Sequence, residues 1–179
     1  MFWVGVGIGA LVITVLLMAL AGSLLPRGHV ASVRVRVAKP PGEVWGAIRD
    51  FASWPSWNPG VKRMERLPDA GGAERWMLHE SMGGFPSRVE VSEPPAEGRA
   101  GRLVTRIDDP KLPFGGTWTW TVEPDGAGSA VTITEDGEIR NPVFRLLARF
   151  VIGYHGTAEK FLAALARRGG TEVVPERVR

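Results

Sequence analysis

The chain has 179 residues, 44% of them hydrophobic and 23% charged, which describes one globular domain plus an appendage and excludes a disordered chain. Lys and Arg number 22 against 19 Asp and Glu, a net charge of +3, and the arginines are scattered and not striped, which argues against a nucleic-acid partner. With no cysteine, a disulfide framework and a thiolate metal site are both excluded.

The first 26 residues, "MFWVGVGIGALVITVLLMALAGSLLP", carry no charged side chain, and the first charge is Arg27. As a helix, residues 2–25 would extend about 36 Å, enough to cross a hydrocarbon core of about 30 Å, so the composition predicts a transmembrane helix there. A cleaved signal peptide is the rival reading, since Ala19–Ala21 has the small-x-small pattern of a cleavage site. Against it, no Lys or Arg precedes the apolar run. Arg27, Arg34, Arg36 and Lys39 all precede the first acid, Glu43. Positive charge on that flank predicts a single-pass cell-membrane protein with the following domain on the cytoplasmic side.

From Ala31 the pattern alternates. Val33, Val35 and Val37 fall on one face and Ser32, Arg34 and Arg36 on the other, a half-buried strand. Pro40 and Pro41 end it and open a short helix whose apolar face is Val44, Trp45 and Ile48. In "DFASWPSWNPG", Pro55 and Pro59 allow a turn or two of helix, with Trp54 and Trp57 projecting from the same side. Such a segment closes the end of a sheet. A run of antiparallel strands follows: "VKRMERL", then "ERWMLHESM" with Trp76, Leu78 and Glu80 on one face, a turn at "GGF", "PSRVEVSE" and "GRLVTRID". The clearest hairpin is "GGTWTWTVEPDGAGSAVTITEDGEI", in which Trp118, Trp120 and Val122 face inward and the alternating threonines outward. On its returning strand Glu135 is in phase with Val131 and Ile133, and a carboxylate there is costly to bury unless it is paired.

Asn141 and Pro142 are an N-cap and first-turn pair opening a long helix to Arg168, its apolar face Phe144, Leu147, Val151, Ala158, Leu162 and Leu165. Gly169 and Gly170 end it, and residues 169–179 read as a flexible tail. Strands followed by one amphipathic helix predict an α+β fold, a curved antiparallel sheet wrapped around the C-terminal helix. The space between them suits an apolar guest.

The catalytic signals are sparse. His29, His79 and His155 have no ligand spacing, so neither a metal nor another cofactor is expected. No G-x-S-x-G elbow is present. The candidate cavity residues are Trp54, Trp57, Trp76, Leu78, Trp118, Trp120, Glu135, Tyr154 and His155. Plain core packing competes with ligand contact for each tryptophan, and a solvated strand end competes with a buried acid for Glu135. In "GYHG", Gly153 and Gly156 either thin the helix for packing or make room for a ligand beside Tyr154.

"VAKPPGEVWGAIRDFASWPSWNPGVKRMERL" and "GGTWTWTVEPDGAGSAVTITEDGEIRNPVFRLLARF" resemble the opening and the last hairpin of the START-like, or SRPBCC, superfamily of polyketide cyclase/dehydrase and lipid-transport proteins. The resemblance covers residues 31–168. It implies a helix-grip architecture with a deep hydrophobic cavity, and members that bind lipids, sterols, polyketides or plant hormones. Three functions stand open: a membrane-anchored carrier of a lipid-like molecule, a cyclase or dehydratase using acid/base residues in the cavity, and an interaction or stress-response domain without a ligand. The expected partners are an apolar small molecule and, through the N-terminal helix, a membrane.

Overall fold

Alternating sequence becomes an eight-stranded antiparallel sheet in the computed structural model, which describes residues 2–81 and 83–178 and leaves aside the side chains of residues 2 and 4–6. After α1 (Phe2–Ser23) come β1 (Gly28–Val37), α2 (Pro41–Arg49), one turn of 3-10 helix (Phe51–Ser53) and α3 (Trp54–Trp57). The strands β2 (Arg63–Ala70), β3 (Ala73–Glu80), β4 (Gly83–Glu93), β5 (Gly101–Ile107), β6 (Phe114–Asp125) and β7 (Gly128–Ile139) follow as a meander. β7 then pairs with β1, so the sheet order is β2-β3-β4-β5-β6-β7-β1-β8. The turn expected at Gly83–Phe85 falls earlier, because β4 already begins at Gly83. Register shifts at Leu67/Ala70 and Val89/Val91 bend the sheet.

The inward face is set by register. Val33 lies opposite Ile133, which lies opposite Trp120, which lies opposite Leu103, and all four are buried. Val44 and Ile48 of α2, Phe51, Trp54 of α3 and Ala158, Phe161, Leu162 and Leu165 of the last helix close this core. The outward face carries a lattice of ion pairs, Arg75 with Asp108 and both Arg88 and Arg106 with Glu90. That division follows from the period of two along each strand.

Three expectations need correction. The C-terminal helix is broken: α4 (Pro142–Leu147) passes into a π-helical turn (Ala148–Ile152), and α5 (Gly156–Arg168) starts afresh. Gly153 makes the break with φ 78° and ψ 170°, a conformation that glycine adopts at little cost, and it leaves Val151 exposed instead of buried. The tail also ends in a strand. β8 (Glu176–Arg177) pairs antiparallel with Val33 and Arg34 of β1, and Arg177 forms an ion pair with Glu159 of α5.

The third concerns the N-terminal segment. It is helical, but among the described residues no helix is long and apolar enough to cross a membrane. Its last turn sits on protein. Gly22 is buried so closely against α4 that an added Cβ would lie 1.8 Å from the Pro142 carbonyl oxygen. The buried Arg145 guanidinium donates to the carbonyls of Gly22 (2.9 Å) and Leu25 (3.0 Å), and to those of Ile139 and Arg140. An arginine that the sequence pattern assigns to the polar face is thus a C-cap for α1.

Candidate functional site

The site is an aromatic wall on the inward face of the sheet. Trp118 and Trp120 point inward from β6, as the threonine alternation requires, with ring centroids 5.5 Å apart. Phe161 projects from α5 into their midst, 6.2 Å from Trp118 and 6.1 Å from Trp120. From α3, Trp54 and Trp57 reach the same phenyl ring at 4.8 and 5.3 Å, both edge-on. The Pro55-containing turn therefore seats the sheet end against α5, as its sequence suggests. Trp54 is core: it is 4% exposed and its Nε1–H donates to the Ile48 carbonyl at 3.0 Å. Trp57 is half-buried under the Arg168 guanidinium.

Burial is graded along the wall. Trp120 is closed off at 2% exposure, whereas Trp76, Phe85 and Trp118 are only half-buried and Leu78 lies at their base. The less covered part of the inward face is therefore the one formed by Trp76 of β3, Phe85 of β4 and Trp118 of β6. Other recesses have different linings. One of about 480 Å³ lies between α2 and the C-terminal end of α5, beside Val44, Ala47 and Leu165. Another, of about 430 Å³, is polar and bordered by Arg88, Arg106, Thr117 and Asp136. Neither includes the tryptophans of the wall.

A polar constellation stands at the far end of the wall. Glu135, opposite Trp118 in register, accepts from Trp118 Nε1–H at 2.9 Å and lies 3.0 Å from His29 Nε2. With side-chain exposures of 22% for Glu135 and 10% for His29, both groups are largely removed from water, and each carboxylate oxygen has its own partner. The Tyr154 ring stacks on the His29 ring, centroids 4.1 Å apart and planes 15° apart. Gly137, opposite His29 on β7, provides the space, since a Cβ there would sit 2.4 Å from His29 Cε1. His29 Nδ1 is buried without a protein partner. Nε2 is taken by the carboxylate, so Nδ1 is the ring nitrogen left for another partner.

The remaining candidates lie around this pair. His155 follows Tyr154 at the start of α5, half-buried, and is not part of the stacked pair. Glu80 continues the inward alternation of Trp76 and Leu78 at the lip of β3, where the residue itself is exposed. The protein around the lip thins its hydration and raises its pKa, an effect that Lys160 of α5 opposes. Trp76 Nε1 donates to Glu74 at 2.7 Å. Burial pushes the Glu74 carboxyl up, but hydrogen bonds from Arg49 and Trp76 outweigh it and hold its pKa low. Among the described residues no group of three or more His, Asp or Glu side chains could hold a metal ion.

Sequence reasoning missed His29. It starts the first strand at Ala31, whereas β1 begins at Gly28 and places His29 in phase with Ala31 and Val33. Extending the alternation back by one inward position finds it. Arg145 carried no such signal, because the two carbonyls it takes from the N-terminal segment, those of Gly22 and Leu25, lie more than a hundred residues away.

The fold has relatives of known structure. Zhui aromatase/cyclase from Streptomyces sp. R1128 superposes with a TM-score of 0.62 at 15% identity, over 80% of this chain and 94% of that one. A START superfamily protein from Mycobacterium smegmatis gives 0.61 at 23% identity, over 79% and 97%. Truncated norcoclaurine synthase from Thalictrum flavum gives 0.59 at 12% identity, over 79% and 92%. At such identities the likeness is one of fold. No curated protein matches the chain. The family model of polyketide cyclase / dehydrase and lipid transport proteins matches residues 29–170, from the histidine of the constellation to the glycines that end α5, and the chain belongs to that family.

Proposed function

We propose that the domain binds and carries a lipid-like small molecule, apolar along its length with one polar end. The observation that carries this reading is the gradient along the inward face. Half-buried Trp76, Phe85 and Trp118 form an apolar surface that ends at the Glu135–His29 pair, where hydrogen-bonding groups converge. An apolar wall with a few placed polar groups suits a ligand of that character. α1 attaches the chain to a bilayer: Leu11, Leu16, Leu17 and Leu20 are each more than 60% exposed, a surface that water disfavours. Arg27, Arg34, Arg36 and Lys39 favour the cytoplasmic leaflet for the domain that follows. The test is native mass spectrometry and lipid extraction of the full-length chain, with displacement of a fluorescent fatty acid. Consistent emptiness, with no displacement by any lipid class, would overturn the carrier reading.

A second reading rests on the constellation itself. A carboxylate that fixes an imidazole tautomer, with a tyrosine stacked on the ring, is an arrangement that moves protons in acid/base catalysis of cyclisation or dehydration. Incubation with carbonyl-bearing polyketide-like substrates discriminates the two. Turnover abolished by Glu135→Gln, with ligand affinity kept, selects the enzyme.

A further inference from the structure

Phe150, Val151 and Ile152 form a patch that nothing in the domain covers. They occupy the π-helical turn after α4 and are 71%, 75% and 60% exposed. Three successive large apolar residues in water are unfavourable, and on a folded domain such a patch marks a contact surface. Resting on the reading that α1 attaches to a bilayer, we infer that this turn is a second lipid-binding element, which inserts into the same leaflet surface and holds the Tyr154 end of the site against the membrane.

Continuity and charge identify the occupant. α1 and α4 are joined by the Gly22 contact and the Arg145 cap, so the apolar surface of α1 and the exposed turn belong to one connected unit. Along the chain, the charges flanking both segments are basic. Between Glu138 and Glu159 the chain carries three arginines and no acid, of which Arg140 pairs with Glu138, Arg145 is buried and Arg149 is exposed, and before Glu43 it carries no acid. Arg27 and Arg149 are exposed beside the two apolar segments. Apolar side chains fringed by arginine match the acyl boundary and anionic headgroups of a bilayer. The geometry links the turn to the site: Gly153 ends the apolar run, and the next residue, Tyr154, stacks on His29. A ligand leaving the bilayer at the turn would therefore meet the polar end of the wall first.

The absence of cysteine makes the test clean. Full-length Phe150→Cys, Val151→Cys and Ile152→Cys are labelled singly with an environment-sensitive dye, beside Leu16→Cys on α1 and Glu97→Cys on an exposed loop distant in sequence. Each is mixed with phosphatidylcholine vesicles, with or without phosphatidylglycerol and with or without nitroxide-bearing lipid. The expected result is blue-shifted emission, quenched by the nitroxide, at positions 150–152 and 16 but not at 97. The response should strengthen with phosphatidylglycerol and weaken with salt. Adding Val151→Asp to the Phe150→Cys chain should return the dye to water, with circular dichroism unchanged. Water-like emission at 150–152 while position 16 is quenched would overturn the inference and leave attachment standing. Water-like emission at both would overturn attachment as well. Shielding at position 150 without vesicles, growing with protein concentration, would assign the patch to a second copy of the chain and overturn the bilayer.

Discussion

Trp54→Ala should be among the most damaging single substitutions in the domain. Its ring is 4% exposed and touches Phe51, Trp57, Trp120 and Phe161 at centroid distances of 4.9, 6.4, 6.0 and 4.8 Å. Removing a buried indole costs about 3–5 kcal/mol through lost transfer energy and the cavity left behind. The lost bond to the Ile48 carbonyl contributes about 1 kcal/mol of that, so Trp54→Phe, which keeps most of the ring, should cost only about 1–2 kcal/mol. Trp57→Ala, at a half-buried ring, should fall below Trp54→Ala. The sequence leaves core packing and a ligand gate open for this segment, and burial places Trp54 in the core. Urea unfolding of the full-length chain in mild detergent reads the difference. With a slope of about 2 kcal/mol per molar urea, Trp54→Ala should lower the midpoint by about 2 M at unchanged slope. A thermal midpoint lower by about 8–16 °C is the parallel expectation. A loss under about 1 kcal/mol at unchanged slope would refute the reasoning, because no well-packed indole leaves so cheaply.

Gly137→Ala should displace His29 and break its contact with Glu135, destabilising the domain by about 1–3 kcal/mol and shifting the His29 ring resonances in NMR spectra. Arg145→Ala should remove the guanidinium bonds to the Gly22 and Leu25 carbonyls and cost about 2–4 kcal/mol, with faster proteolysis around residues 24–28; Arg145→Lys should rescue little, because an ammonium cannot span the same oxygens. The hydrogen bond from Arg177 depresses the Glu159 pKa, so its stabilisation is fully present above the ordinary value of 4.5 and is lost as pH falls through the lower folded value. The protection of the Val178 amide, which donates to the Ser32 carbonyl, against hydrogen exchange should fall across that window in the native chain relative to an unstructured amide at the same pH, and should already be low in Glu159→Gln. For Glu80 the sign is opposite: burial raises its folded pKa, so ionisation opposes folding as pH rises past the unfolded value. Glu80→Gln should match the native chain in stability at low pH and exceed it at neutral pH, as read by denaturation at both.

Local pattern carried much of this structure. Strict alternation in "VRVRV" and "TWTWTV" predicts which side chains face inward, because the period of two admits no intermediate. Pro55 and Pro59 predict a short helix, and α3 is four residues long. What failed was non-local. The apolar spacing from Phe144 to Leu165 is the same whether the helix is continuous or broken, and only the left-handed geometry of Gly153 decides between them. The last strand has two residues and no pattern of its own, and exists because β1 would otherwise present an open edge. Within the site, the aromatic wall was legible and Glu135 was noticed as out of place. Its partner His29 lay beyond the assigned start of the strand, and the cap on α1 depends on a fold no local pattern encodes.

The Arg145 clamp also has a history in time. Gly22 and Arg145 are 123 residues apart, so at about 5–20 residues per second a ribosome completes the guanidinium some 6–25 s after the carbonyl it will cap. For that interval the leucine-rich helix exists without its final neighbour. The Gly22 contact and the Arg145 cap can therefore form only after α4 has been made. The docking of α1 onto α4 is thus placed late in assembly by the chain's own length.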